Sequence, residues 1–383
     1  MDSSAGGGDL RLRRTALEPV GDPDTDPSSS SSSTPLTLLS WNVLADGLAQ
    51  TGRWTHCPAA VLEWQTRAPA LLAEVDAAAP DLLCLQECNH WANWWQDKLA
   101  ARGYDGAFWA KPGSPAARAG APPDGCAIAW RRDRFSLVGV PEGRPFDARC
   151  LGRVRSPPPV PGPRTAPIDS AATDEEVVPT PPAIITPSGE ALALTPPRGV
   201  QGSLVVTLAD CVSGRAVVLG CTHLKAKAGA EEEVVRGRQA AEAAARVVRA
   251  GERAAAAGSK KGGGGPTPFL ILAGDFNAGP GTAAARAPGA VGLASVWDAP
   301  GGTPWGWSTF KWRTAGVGRG AEAAAAAPDG PPRPSRGLVD HIFYRGARLD
   351  GRWPPLAEEA LPEGLPCVGY PSDHVAGLAR WWV

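Results

Sequence analysis

Six stretches of this sequence end or interrupt an apolar run with a polar or ionisable side chain. They are Asn42 in "LSWNVL", Glu87 in "CLQE", His223 in "CTHLK", Asp275 with Asn277 in "ILAGDFNAGP", Asp340 in "LVDHIFY", and Asp373 with His374 in "YPSDH". Such groups are costly to take out of water unless they are paired or used. Side chains alternate along a strand, so Asp275 and Asn277 share a parity and are expected to aim at one face. Taken singly each has an ordinary explanation, since Asp and Asn at strand ends cap turns and "GDFNAGPG" reads as a turn initiator. Taken together they form a set of carboxylates, amides and two imidazoles without a thiolate. That set suits a hard ion such as Mg²⁺, which is held by one or two carboxylates and keeps several waters. One acid can orient an imidazole while another receives a proton from water, and basic side chains with a metal can neutralise phosphoryl oxygens. The chemistry these residues point to is metal-assisted phosphoester hydrolysis.

The elements that must position them form one α/β pattern. Strands are expected at Leu36 to Val43, "DLLCLQE", "YDGAFWA", "CAIAWRR" and "FSLVGV", with helices through "AAVLEWQTRAPALLAEV" and near "WANWWQDKLA". A hairpin-like pair, "SLVVTLAD" and "RAVVLGCTHLK", precedes a long alanine-rich helix that opens on Glu231, Glu232 and Glu233, acids that suit the positive end of a helix dipole. The strands "FLILAGDFN" and "LVDHIFY", the latter carrying Asp340 inside it, and the closing strand "VAGLARWWV" follow. Residues 1–34, ending in a serine run, show no apolar periodicity and read as a disordered tail ahead of a domain over 35–383. Proline-, glycine- and alanine-rich insertions are expected at about 142–200, 258–267 and 316–336.

Composition narrows the function class. With 383 residues and 43% hydrophobic content the chain can bury a substantial core. Thirty-eight basic against thirty-nine acidic residues leave a net charge of −1, so a broad basic face for long nucleic acid is not indicated, whereas a local basic pocket is compatible. Eight cysteines occur without a CxxC pair and read as reduced and structural. No segment approaches the roughly 18 apolar residues of a membrane span, and the start lacks the apolar stretch of a secretory signal. Cytoplasm is therefore the expected compartment. An organellar transit peptide in the Arg- and Ser-containing residues 11–33 is the lesser alternative, opposed by Asp9, Glu18, Asp22, Asp24 and Asp26.

The six motifs, in this order, resemble the endonuclease/exonuclease/phosphatase superfamily, and the resemblance runs over nearly all of 36–383 outside the insertions. Within it the stretches "AKPGSP", "PDGCAI", "THLKAK", "STFKWRTAG" and "YPSDH" are similar to the branch of nocturnin and the related carbon-catabolite-repressor-type deadenylases. The resemblance implies a four-layered α/β sandwich of two packed mixed sheets flanked by helices. It implies Glu87 as principal Mg²⁺ ligand, Mn²⁺ being an alternative ion, with Asn42 and Asp373 near the metal or its waters. Asp275 would position or deprotonate the attacking water, and Asn277 would hold the phosphate and the nucleophile. His374 would contact the phosphoryl group with its tautomer fixed by Asp340, and His223 would stabilise phosphoryl oxygens.

For the substrate, the resemblance implies removal of the 2′-phosphate of NADP(H), with Lys111, Lys225, Lys227 and Arg313 as a basic clamp and Phe310 stacking on a base. In "THLKAK" Lys227 stands where that branch has arginine, and lysine keeps the charge without the planar fork. The alternative substrate is the 3′ end of adenylate-rich RNA, shortened by a 3′ to 5′ exoribonuclease with the same metal chemistry. The near-zero net charge, and the lack of a leucine-rich repeat ahead of the domain, favour the dinucleotide. A third reading is a non-catalytic phosphate-binding scaffold docked through the proline-rich insertion. The filled set of motif positions speaks against it, and no protein partner is readable from the sequence.

Overall fold

Continuous apolar runs in strands need cover on both faces, and the three central runs obtain it by strict alternation. Leu204, Val206, Val217, Leu219, Phe269 and Ile271 enter the core between two sheets, whereas Val205, Val218, Leu270 and Leu272 face the helix Ala230–Ser259 through its Ala240, Ala243, Ala244 and Val247. Small residues let that helix lie close to the sheet. A Cβ on Gly220 would stand 2.5 Å from Val247 Cγ2, and one on Gly251 2.5 Å from Leu270 Cδ2. The computed structural model describes residues 16–20, 34–51, 54, 56–146, 201–259, 266–301, 303–313, 333–356, 361 and 364–383, and the backbone of 183–185 and 191–193.

One sheet runs in the spatial order Glu18–Pro19, Arg348–Arg352, Gly377–Trp382, Pro35–Asn42, Leu82–Cys88, Gly125–Arg131, Tyr104–Ala110, Ala183–Ile185, Ala191–Ala193. The other runs Ala294–Ser295, Asp340–Arg345, Phe269–Asp275, Ala216–His223, Gly202–Asp210, Phe135–Leu137, with Glu142–Pro145 also pairing Gly202–Asp210. Each sheet has a parallel centre, Pro35–Asn42 with Leu82–Cys88 and Ala216–His223 with Phe269–Asp275, between antiparallel neighbours. The helix Trp64–Ala78 buries Ala68, Leu71, Leu72 and Val75. With the Ala230–Ser259 helix on the outer face of the second sheet, the molecule is a four-layered α/β sandwich.

Several expected boundaries shift. Within the tail expected to be disordered, Glu18–Pro19 pair with Arg352 and Gly351, and Val20 is buried. Glu142–Pro145, placed by its prolines in an insertion, pairs with Gly202–Val205 at the edge of the second sheet, where a proline is tolerated. Arg333–Gly337, all but its last residue inside the expected 316–336 insertion, pairs with Thr309–Arg313. The remainder of the three insertions lies mostly outside the described residues. The first expected helix divides at Glu63, which is extended, into Ala59–Leu62 and Trp64–Ala78. No helix among the described residues is long and apolar enough to cross a membrane.

At the end of the sandwich away from the polar strand ends, Arg134 ties both sheets together. Its Nε and Nη2 donate to the two oxygens of buried Asp210 at 3.1 Å each, and its Nη1 donates to Pro35 O at 2.6 Å. Burial pushes the Asp210 carboxyl up, but Arg134, the Ser213 hydroxyl and the Val212 N–H outweigh it and hold the carboxyl below the usual range. Asp210→Asn is expected to cost about 1–2 kcal/mol of stability at neutral pH, since it removes the carboxylate that takes two of the guanidinium's hydrogen bonds and leaves Asp81, 3.4 Å from Nη1, as the remaining acid. A depressed carboxyl pKa stabilises fully above the unfolded value of about 3.9 and ceases to as pH falls through the lower folded value. Urea melts from pH 7 to pH 2.5 should therefore show the wild-type advantage shrinking towards nothing at the acid end.

Candidate active site

Asn42, Glu87, His223 and Asp275 close the four central parallel strands, two from each sheet, and so meet at one mouth of the sandwich. Antiparallel neighbours return to the same mouth: Asp340 opens its strand opposite Asp275, and His374 lies three residues ahead of Gly377–Trp382. Asp340 thus begins a strand and does not lie inside one. Local backbone features aim these groups. Pairing between Leu82–Cys88 and Gly125–Arg131 slips between Leu85 and Cys88, and Glu87 adopts φ 52° within that irregularity, which re-aims its side chain. Gly274, at φ 154°, brings the Asp275 strand so close to its neighbour that a Cβ would fall 1.9 Å from Thr222 O.

The strand stops at Asp275, so the shared parity expected for Asp275 and Asn277 does not apply. Asn277 instead takes φ 49°, donates its N–H to Asp275 Oδ1 at 2.8 Å and its Nδ2–H to Leu224 O at 3.2 Å. An Asx turn delivers it to the mouth.

One amide joins the two sheets. Asn42 Nδ2 donates to Glu87 Oε1 and to Asp275 Oδ2, both at 3.1 Å, while Asn42 Oδ1 receives the Leu44 N–H at 3.0 Å. Glu87 Oε2 receives the Ala45 N–H at 3.2 Å. Asp275 Oδ2 also lies 3.6 Å from His223 Nε2 and 3.8 Å from His374 Nε2. His374 Nδ1 donates to Asp340 Oδ2 at 2.7 Å, and the same oxygen receives the Ser308 hydroxyl at 2.6 Å. Ser372 Oγ donates to Asn42 O at 2.6 Å and receives the His374 N–H at 3.2 Å, which locks the loop of "PSDH" to the end of the Asn42 strand.

These contacts set the charges. Burial pushes the Asp275 carboxyl up, yet His374, His223, the Asn277 N–H and Lys311 together hold it down at about 2. Burial opposes charge on His374 too, but Asp340, Asp373 and Asp275 outweigh it and Lys311, raising the imidazole to about 9. His223 moves the other way: burial, then Lys111, hold it below the ordinary histidine range against the nearby acids.

The basic and aromatic candidates separate. Lys111 is mostly buried, with Nζ 3.8 Å from Asp124 Oδ2. Lys225 is half-buried with its N–H bonded to Gln239, and Lys227 is exposed, its carbonyl receiving Arg236. Among the described residues no contact brings either ammonium to the mouth. Arg313 ends the strand Thr309–Arg313, and its side chain lies outside the described residues. Phe310 is not an open stacking platform, because it is 1% exposed and covered by the Arg336 guanidinium at 4.2 Å. Strand alternation explains this, since Thr309 and Lys311 occupy the face towards the mouth and Phe310 the other.

Lys311 is the group the sequence reading missed. Its ammonium pairs with Asp373 and comes 3.2 Å from His374 Nε2. The flagged Arg313 shares its parity in the same strand, and counting back two residues would have found it. Buried Arg67 was missed as well. It donates to Pro371 O at 2.7 Å and to Val43 O at 2.6 Å, stitching the two loops that carry Asp373 and Asn42. Nothing in an amphipathic helix pattern marks such an arginine.

The donor set fits a divalent cation. Asp275, Asp340 and His374 place ligand atoms within 4.8 Å of one another. Asp340 Oδ2 and His374 Nδ1 are already bonded to each other, however, whereas half-exposed Glu87 stands beside Asp275 on the shared Asn42 amide. Asp373 Oδ1 and Asp340 Oδ1 are buried without a hydrogen-bond partner. The set is oxygen-rich and free of thiolate, which is the preference of Mg²⁺ or Mn²⁺ over Zn²⁺ in a thiolate site.

Comparison with known proteins agrees with this architecture. Nocturnin from Homo sapiens is 27% identical over 353 residues, which cover 89% of this chain and 64% of that protein, so the chain spans just under two thirds of the relative's length. The CCR4-Not complex 3′-5′-exoribonuclease subunit Ccr4 of Phaeosphaeria nodorum is 30% identical over 140 residues, 33% of this chain and 23% of that protein. Among solved structures, ANGEL2, a 2′,3′-cyclic phosphatase, superposes with a TM-score of 0.62 at 20% identity, covering 92% of this chain and 96% of that one, a likeness of fold. Residues 39–374, nearly the whole span from the first central strand to His374, match the family described as Endonuclease/Exonuclease/phosphatase, and the chain belongs to that family.

Proposed function

We propose that this chain is a Mg²⁺-dependent phosphoester hydrolase that removes the 2′-phosphate of NADP(H) to give NAD(H). The observation that carries the hydrolase reading is the Asn42 amide, which holds Glu87 from one sheet against Asp275 from the other, with the His374–Asp340 pair alongside. Glu87, with Asn42 and Asp373 nearby, would hold the cation, which when bound neutralises charge on the phosphoryl oxygens. Asp275, ionised and supplied with donors on both oxygens, accepts a hydrogen bond from the attacking water and sets its direction. A carboxyl held at about 2 is a poor proton acceptor for free water, so the proton moves only as the bond to phosphorus forms. Asp340 fixes the proton of His374 on Nδ1, and the charged ring presents Nε2–H towards the phosphoryl group. Asn277, His223, Lys111 and Lys311 supply further donors around it.

Likeness to nocturnin over 89% of the chain, a net charge of −1 and a mouth with few lysines support a compact dinucleotide rather than a long polyanion. The likeness to an exoribonuclease subunit over a third of the chain supports the second reading, a 3′ to 5′ exoribonuclease acting on adenylate-rich RNA.

Given NADPH and labelled oligoadenylate side by side, the purified protein is expected to release orthophosphate and NADH only with Mg²⁺ and to leave the oligomer intact. Shortening of the oligomer without phosphate release would reverse the order of the two readings. Glu87→Gln should lower Mg²⁺-dependent turnover about 100-fold or more, and an unchanged rate would remove Glu87 from the metal site. Asp275→Asn should lower kcat about 1000-fold with little change in KM, because it acts on the water and not on substrate affinity. Asp340→Asn removes the largest influence favouring the charged ring, so the His374 pKa, followed by imidazole NMR, should fall from about 9 towards the ordinary value of about 6.5. Its kcat should fall about 100-fold or more as the tautomer is released.

A further inference from the structure

Beside His223 lies a cavity of about 10 Å³, lined among others by Trp109, Lys111, Asp124, Gln201 and Gly202. That is room for one water-sized group. A phosphoryl group is too large for it, and a hydroxyl is not. Gln201 is 7% exposed, and its Oε1 has no hydrogen-bond partner. Asp124 Oδ2 is likewise buried without a hydrogen bond, 3.8 Å from Lys111 Nζ.

The backbone delivering Gln201 is held by two hydrogen bonds. Gln201 O receives the Phe146 N–H at 2.9 Å, and Gly202 O receives the Thr222 hydroxyl at 3.0 Å. A Cβ on Gly202 would stand 2.2 Å from Arg144 O, so only glycine lets the strand run this close to its neighbour. A buried acceptor without a donor is costly, and none of the proposed chemical steps uses it. The cavity also adjoins the reacting region, because His223, which lines it, lies 3.6 Å from Asp275.

Gln201, whose carbonyl oxygen is unsatisfied, and Lys111, which carries an ammonium, line the same one-water space and together describe a ligand that donates and accepts at once. A hydroxyl next to a phosphoester is such a group. We propose that Gln201, with Lys111, receives the ribose hydroxyl vicinal to the scissile phosphate, and that Gln201 thereby determines specificity for ribose esters that carry it. The assignment rests on the phosphohydrolase reading above. For a 2′-phosphate the hydroxyl is the 3′-hydroxyl of the same ribose. It donates its proton in a hydrogen bond to Gln201 Oε1 and accepts one from Lys111 Nζ, and no covalent bond changes.

The test compares kcat/KM for phosphate release from NADP⁺ and from its analogue lacking the adenosine 3′-hydroxyl, using the full chain with Mg²⁺. A vicinal hydroxyl also improves the leaving group, so the readout is the change in preference on substitution. Wild type is expected to favour NADP⁺. Gln201→Met, of similar volume without an acceptor, should cut that preference about tenfold or more. Gln201→Glu, which keeps an acceptor oxygen at the same reach, should retain it within about threefold. Thermal melts establish that each variant is folded, and the Glu variant and wild type carry the test if the Met variant is not. Lack of a wild-type preference, a preference unchanged in Gln201→Met, or one lost in Gln201→Glu overturns the assignment, as would a cavity that merely holds a structural water. Failure of wild type to hydrolyse either compound overturns the phosphohydrolase reading itself, and this assignment with it.

Discussion

Two carboxylates from different sheets bond to one amide nitrogen, and the architecture of the mouth follows from that arrangement. Glu87 and Asp275 would separate if solvent and their mutual repulsion decided the matter. Asn42 holds both, and it is itself fully buried, with its own oxygen occupied by the Leu44 N–H. The distance between the sheets is therefore a chemical parameter. Cys84 and Gln86, on the same inner face as Asn42, reach Gly220 O and Cys221 Sγ of the other sheet, and with the alternate residues of Ala216–His223 and Phe269–Asp275 they set that distance by packing. A cavity left in this core would be felt at the mouth as a change in how far Asp275 stands from Glu87, since close-packed interiors transmit small displacements.

The loops beyond the strand ends are held as firmly as the strands. Arg67 reaches from its helix to three backbone carbonyls, those of Val43, Leu44 and Pro371, and burial holds its guanidinium down at about 10. Ser308 donates to Asp340 and receives the N–H groups of both Val339 and Asp340 at 3.0 and 3.1 Å. Ser372 does the comparable work beside Asn42. Each of these residues satisfies backbone groups that a loop would otherwise leave to water. The ionisable groups are in this way held by a scaffold of ordinary hydrogen bonds, which is the condition for groups preorganised towards developing charge.

Much of this was readable in the chain. Apolar runs that stop on Asn42, Glu87, His223 and Asp275 lie at strand ends because a strand covered on both faces tolerates polar groups only where it emerges. The family resemblance implied two packed sheets, and the long alanine-rich helix was expected with its acidic first turn. What escaped depended on contacts far apart in sequence. The parity argument for Asp275 and Asn277 assumed that the strand continued, and the left-handed backbone at Asn277 ended it. Phe310 read as a platform because neither its strand pairing with Arg336 nor the cation above its ring can be inferred from neighbours in sequence. Lys311 escaped because its partners Asp373 and His374 lie some sixty residues further along the chain. Glu18–Pro19 form an edge strand from a segment with no periodicity, since two residues are too few to show one.

Two histidines face the same carboxylate and end in opposite states. His223 is buried near Lys111 and stays uncharged, whereas His374 stands among Asp340, Asp373 and Asp275 and keeps its second proton. Environments that push like groups apart are the usual sign of divided roles. A neutral ring at His223 adds a hydrogen-bonding group without adding charge, and the charged ring at His374 offsets part of the acid around it. The offset is incomplete. Glu87, Asp275, Asp340 and Asp373 bring four carboxylates to the mouth, against the imidazolium of His374, the ammonium of Lys311 and the guanidinium of Arg67 beneath them. The residual negative charge lies on the side of Glu87, where the carboxylate is half-exposed and its hydrogen bonds come from neutral donors alone. A hard divalent cation held there would relieve repulsion already present in the folded protein, and under the proposed function the same neutralisation would let a dianionic phosphate approach acids that otherwise repel it.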